Sequence, residues 1–182
     1  MTEYSLKLTD KVRAYITDNS PLPKDCYVLR SPPDAKYNCH AWGVGVFNEN
    51  FDPFDKASPW YSEENSSILV EAMVARFKSM GFSDCDTNNL EYQEGIQKIA
   101  LYVKDGEVHH TARLLKNNSW ASKMCDEEDI EHQRLDSLEV MGWGVASIFL
   151  KRDYPHPDPK PLRASQELPF KYRIPILQGK LP

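Results

Sequence analysis

The chain has 182 residues, of which 41% are hydrophobic and 11% aromatic, which excludes a disordered polar chain and is enough to bury one core without staples. The net charge is −5, so there is no basic footprint for nucleic acid, and the dispersed acidic residues read as a solvated surface. No apolar run approaches the roughly 20 residues of a membrane span, and Met1-Thr2-Glu3-Tyr4 opens no secretory signal; the expectation is a protein of the cytoplasm, or one exported without a classical signal peptide, with neither nucleic acid nor membrane as partner.

In chain order, residues 8–18 have helical character and stop at Asn19-Ser20-Pro21. Residues 26–29 suit a short strand, and Ser31-Pro32-Pro33-Asp34 a turn. The stretch 47–61, rich in Asp, Pro, Asn and aromatics, reads as a loop. Over 66–80 the apolar residues Ile68, Leu69, Ala72, Met73, Ala75 and Phe77 recur at helical spacing, with Gly81 as the stop. A strand-rich half follows. Residues 98–103 form a strand, Asp105-Gly106 a two-residue hairpin turn, and 108–115 the returning strand. Residues 119–124 and 143–151 supply two more. Helices first and an antiparallel sheet second predict an α+β fold, with helices packed on a sheet of four to six strands. One domain covers 1–153. The segment 154–182, punctuated by seven prolines, reads as an extended arm that could meet a protein partner.

The cysteines are Cys26, Cys39, Cys85 and Cys125. They form no CxxC pair and no zinc spacing, so neither metal nor other cofactor is expected. Free thiols are the default outside a secretory context, and two disulfides are the alternative in an oxidising one. Cys39 carries the most chemistry. Asn38 is a good helix cap and Ala41-Trp42 an apolar helix start, which places Cys39 in a first turn. There the backbone N–H groups and the helix dipole favour a thiolate and could hold an oxyanion. The plainer alternative is a small buried residue.

A nucleophilic thiol needs a base. His156 lies among prolines, and His40, next to Cys39 on a helix, points away from the thiol. Strict alternation after Asp105-Gly106 puts Val108, His110, Ala112 and Leu114 on one face, toward the core and the helix, and His109 toward solvent. His110 is then the candidate base, or else a core imidazole satisfied by a carbonyl. His132, at strand spacing from Ile130, could orient His110, or could be a surface residue beside Asp126-Glu127-Glu128-Asp129. Asp129 and Asp136 are reserves for that role. A metal site built from Cys39, His110 and His132 is a third reading.

Several strings together sharpen the picture. Asn38-Cys39-His40-Ala41-Trp42, His109-His110-Thr111-Ala112-Arg113, Trp120-Ala121-Ser122-Lys123, and Ile130-Glu131-His132 followed by Gly142-Trp143-Gly144 occur in one order over residues 37–152. That order resembles an uncharacterised bacterial branch of the papain-like NlpC/P60 cysteine hydrolases. The resemblance implies a papain-like catalytic domain over 1–153, with Cys39 as nucleophile, His110 as general base and His132 as orienting group. The sequence departs from the pattern at His109, where Thr is expected, and at Cys125, where Gly is expected. By the same resemblance Tyr27 or Tyr37 could donate to an oxyanion. Asn38 and Trp42 border the nucleophile as candidate oxyanion or substrate-binding residues, although Trp42, like Trp120, also suits a core. Lys123 and Arg113 could recognise a carboxylate or make salt bridges. Phe51, Phe54, Trp60 and Tyr61 could form a cleft wall or a cluster under a loop.

The expectation is therefore a thiol-dependent hydrolase or acyl transferase that cleaves an amide, peptide or ester bond in a peptide-like substrate, without a cofactor. The rival is a non-catalytic protein-binding module on the same scaffold.

Overall fold

The run Ile99-Ala100-Leu101-Tyr102-Val103 mixes β-branched, aromatic and small apolar residues without a polar face, which suits a strand covered on both sides. It forms part of an inner strand of a seven-stranded sheet in which every pairing is antiparallel. The computed structural model describes residues 27–30, 34–64 and 66–153. The elements run β1 Tyr27–Leu29, α1 Cys39–Val44, α2 Val70–Ser79, β2 Ser83–Asp84, β3 Ile96–Lys104, β4 Glu107–Leu114, β5 Trp120–Lys123, β6 Asp129–His132, a 3-10 helix Leu135–Met141 and β7 Val145–Asp153. Their order across the sheet is β1-β6-β5-β4-β3-β7-β2. The architecture is α+β, as the element order predicts. The sheet exceeds the expected four to six strands because the short edge strands β1 and β2 extend it. The helix expected over 8–18 and the Pro-rich arm 154–182 lie outside the described residues.

Each face of the sheet covers its own core. On one face α1 and α2 bring Trp42, Met73 and Phe77 against Ile99, Leu101, Val108 and Leu150. On the other, Tyr27, Tyr102, Trp120 and Ile130 pack with Leu138 of the 3-10 helix. The hairpin between β3 and β4 turns through Asp105 and Gly106 with φ of 54° and 82°, the positive pair a type I′ turn needs. Just beyond it the register shifts, Tyr102 opposing His110 and Val103 opposing Val108. His109 is therefore an extra residue, a β-bulge. The bulge resets the alternation: Val108 stays on the helix face, while His110, Ala112 and Leu114 point to the other. The expected single face of Val108, His110, Ala112 and Leu114 is thereby corrected.

Helix α2 begins at Val70, four residues later than its apolar period suggests. Ser67 Oγ accepts the Leu69 N–H at 3.1 Å, and the Ile68 carbonyl accepts the Val108 N–H at 2.8 Å. These bonds hold residues 67–69 extended along β4. Helix α1 is short but fixed at both ends. At its start Asn38 Oδ1 accepts the Ala41 N–H at 3.0 Å. At its end the Gln97 side chain donates to the Gly43 carbonyl and Arg152 Nη2 to the Val44 carbonyl, both at 2.7 Å. Gly43 lets α1 press onto β4, since a Cβ there would lie 2.4 Å from Thr111 Cγ2.

Candidate functional site

Cys39 occupies the first turn of α1, where the Asn38 cap puts it. The ladder between β4 and β5 stops at the pair Ala112–Ser122, and the thiol lies just past that end, near the backbone of Thr111. It is buried, 7% exposed. Burial pushes it up to about 12, and the nearby Cys125 thiol adds to this, while the backbone N–H groups of Thr111, Cys39 and His40 pull the other way. The helix start thus supplies the donors that the sequence suggests, but desolvation outweighs them and the resting sulfur is a neutral thiol.

His110 leaves β4 on the face away from α1. Its ring stacks on Trp143 at 4.1 Å between centroids and meets the edge of Tyr102 at 5.4 Å. Burial first, then the neighbouring His40 and His132, hold it well below its ordinary pKa. Its Nε2 is buried with no hydrogen-bond partner, so the alternative of a carbonyl-satisfied core imidazole does not describe it at that nitrogen. No hydrogen bond joins it to Cys39 among the described residues.

His132 is fully buried rather than on a solvated loop. Its Nδ1 sits 2.9 Å from the Arg134 carbonyl and its Nε2 2.9 Å from Ser122 Oγ. The carbonyl can only accept, so Nδ1 carries the hydrogen and Nε2 accepts from Ser122. Burial lowers its pKa to about 4. In the ladder Leu114, Trp120, His132 and Tyr27 stand opposite one another in one row. His110 is four residues further along β4, so the backbones of the two histidines are offset by about 13 Å along the strands and about 10 Å across them. Both ring nitrogens of His132 are engaged, by Ser122 and by the Arg134 carbonyl, rather than by His110.

The other candidates are parts of the fold. Tyr37 OH donates to Asp129 Oδ2 at 2.8 Å. Asn38 accepts from Ala41 and Phe51 and donates to the Phe51 carbonyl at 3.0 Å. Trp42 is fully buried, stacked on Tyr37 and edge-on to Phe47. Tyr27 packs in the second core, three strands from β4. Among the described residues Tyr37 and Asn38 have their polar groups engaged within the fold, and all four pack in it. Lys123 is buried, with Nζ on the Glu127 carbonyl, 3.9 Å from Asp129 and 4.8 Å above the Tyr37 ring. Arg113 is buried on the helix face beside Thr111. Phe51 and Trp60 join the core and Phe54 is exposed.

Three residues near the thiol carry more than the sequence suggests. His40 is buried, its Nδ1 2.8 Å from Thr111 Oγ1 and its ring stacked on Trp60 at 5.6 Å. Burial first, then the charges of Arg76 and His109, lower its pKa to about 4. Thr111 is where α1 touches β4, through His40 and Gly43. Cys125 stands on the β5–β6 turn with φ of 54°. Only the resemblance, which expects Gly at 125, marks that position beforehand. Among the described residues no group of three or more His, Cys, Asp or Glu could hold a metal ion, and no helix is long and apolar enough to cross a membrane.

No curated protein and no solved structure matches the chain. The profile of one protein family, a domain of unknown function designated DUF7689, matches residues 28–151. That span runs from β1 into β7 and takes in Cys39, His110 and His132. The chain belongs to the DUF7689 family.

Proposed function

We propose that the chain is a thiol-dependent hydrolase or acyl transferase on a papain-like, NlpC/P60-type scaffold, with Cys39 as nucleophile and His110 as base. It works as a dyad, because His132 serves Ser122 and Arg134. One observation carries the reading. A cysteine in a capped first helical turn lies beside Thr111, and the preceding residue of β4 is an imidazole buried with an unsatisfied Nε2. A buried nitrogen without a partner costs about 1–3 kcal/mol, and a catalytic role is one of the explanations such a group admits.

In this reading the Cys39 sulfur attacks a carbonyl carbon while His110 Nε2 takes the thiol proton. The N–H groups of the first turn of α1 hold the oxyanion. Collapse gives a thioester, and His110 returns the proton to the leaving amine or alcohol. Water or a second acceptor then releases the acyl group. The resting groups are both neutral, which leaves the proton on sulfur until substrate arrives. Attack requires the His110 ring, which rests on the sheet face away from α1, to leave Trp143 and swing round the open edge of β4 beyond the Ala112–Ser122 pair to reach the sulfur.

A second reading, a non-catalytic protein-binding module, is favoured by the 7% exposure of Cys39 and by the occupied groups of Tyr37 and Asn38. One experiment separates them: a panel of peptidyl amides and acyl esters is assayed with wild type, Cys39→Ala and His110→Asn, and iodoacetamide labelling is followed by mass spectrometry. The enzyme loses turnover in Cys39→Ala and drops about 100-fold or more in His110→Asn. The module turns over nothing, and His110→Asn leaves the labelling of Cys39 unchanged.

A further inference from the structure

The residues before α1 lie along the turn that joins β5 to β6. The Asp34 N–H reaches the Glu127 carbonyl at 3.3 Å, Tyr37 OH reaches Asp129 at 2.8 Å, and Lys123 Nζ stands over the Tyr37 ring. Cys39 follows Tyr37 by two residues, and Cys125 follows Lys123 by two. These contacts draw the start of α1 and the crest of the turn together. Both sulfurs are free thiols.

Cys125 is also held in an unusual backbone. Among the described residues three non-glycine positions have positive φ, Asp105, Asn118 and Cys125. Asp and Asn tolerate the left-handed region through their short polar side chains; cysteine has no such help. The residue as a whole is exposed, yet desolvation, then the charge of Asp126, raises its thiol above the ordinary range. Cys39 feels that sulfur in turn, as the second cause of its own raised pKa.

We propose that Cys125 is a resolving thiol for Cys39, the two closing a reversible disulfide under a low-molecular-weight disulfide such as oxidised glutathione. The more accessible Cys125, as thiolate, attacks one sulfur of the oxidant, forming a mixed disulfide and expelling one glutathione thiolate. Cys39 then loses its proton to solvent and attacks the Cys125 sulfur, expelling the second. Two protein thiols are oxidised by two electrons in all, one oxidised glutathione becomes two reduced ones, and the two protons end on them. Cys39 is then withdrawn from any chemistry until a thiol reductant reopens the bond. The pairing needs no catalysis, so its test and that of Cys39 as nucleophile fail separately.

The test incubates the full chain with oxidised glutathione, blocks free thiols with N-ethylmaleimide and maps non-reduced tryptic peptides by mass spectrometry. The expected result is a linked pair of peptides carrying Cys39 and Cys125, lost on adding dithiothreitol and formed equally in Cys85→Ser. Cys125→Ser and Cys125→Gly should yield no such pair while melting at or near the wild-type temperature, the glycine variant no lower because it suits the positive φ. The proposal is overturned if Cys39 pairs with Cys26 or Cys85 instead, or if Cys125 is fully glutathionylated while Cys39 stays free.

Discussion

The contact between Gly43 and Thr111 offers a sharp test of how α1 is seated. A Cβ at residue 43 would lie 2.4 Å from Thr111 Cγ2 and 3.4 Å from Thr111 Cβ, so the first contact must open by more than 1 Å to reach ordinary carbon–carbon separation. Thr111 cannot simply rotate, because its hydroxyl is 2.8 Å from His40 Nδ1. Overpacking of this kind costs about 1–3 kcal/mol, against about 1 kcal/mol that alanine gains over glycine in a helix. Gly43→Ala should therefore destabilise by up to about 2 kcal/mol. Thr111→Ser deletes the offending methyl and keeps the hydroxyl, at a cost of about 1 kcal/mol. In that background the alanine methyl occupies the vacated space, and Gly43→Ala should become neutral or stabilising. Urea unfolding of the four proteins measures the coupling, expected at about 2 kcal/mol. An equal cost of Gly43→Ala in both backgrounds would refute the close approach of α1 to β4.

Three further outcomes follow from buried polar groups. His40 and His132 fold with pKa values of about 4, below the unfolded 6.5, so the unfolded state binds more protons in between. Their contribution to stability is full above pH 6.5 and is lost as pH falls toward 4, on the order of 3 kcal/mol each. Urea midpoints from pH 7.5 to 4.5 should fall accordingly, and less steeply in His132→Asn; a flat profile would refute neutral burial. Arg152→Met removes donors to the Val44 and Met80 carbonyls and to Gln97, and should cost about 1.5–3 kcal/mol by thermal melting. Lys98 Nζ donates to the Asn89 and Glu91 carbonyls and to Asn89 Oδ1; in Lys98→Met, hydrogen exchange of residues 86–94 should quicken while the centre of β4 stays protected.

Much of the fold can be read from local chemistry. Asp105-Gly106 specifies its turn, and the strands on either side follow from their composition. The start of α1 is legible because Asn38 acts through its own side chain on the next turn. What local reading misses depends on distant partners. Asp129 and Glu131 look like surface acids, yet they line a buried strand because Tyr37, Lys123, Asn117, Ser119 and Arg30 bind them. The face of His110 is missed for a different reason. One extra residue in β4 inverts every later side chain, and no residue type at 108–110 announces it. Residues 67–69 keep helical spacing but run extended along β4, bonding to it through Ile68 and Leu69.

The bond from Arg152 to the Val44 carbonyl spans 108 positions of the chain. A six-residue helix does not persist alone, and this one receives its final clamp only when β7 has been made and docked. During synthesis the chain must be made through Arg152 before that clamp on α1 can close. Contacts of such long range are slow to close, which ties the seating of the helix that carries the thiol to completion of the sheet.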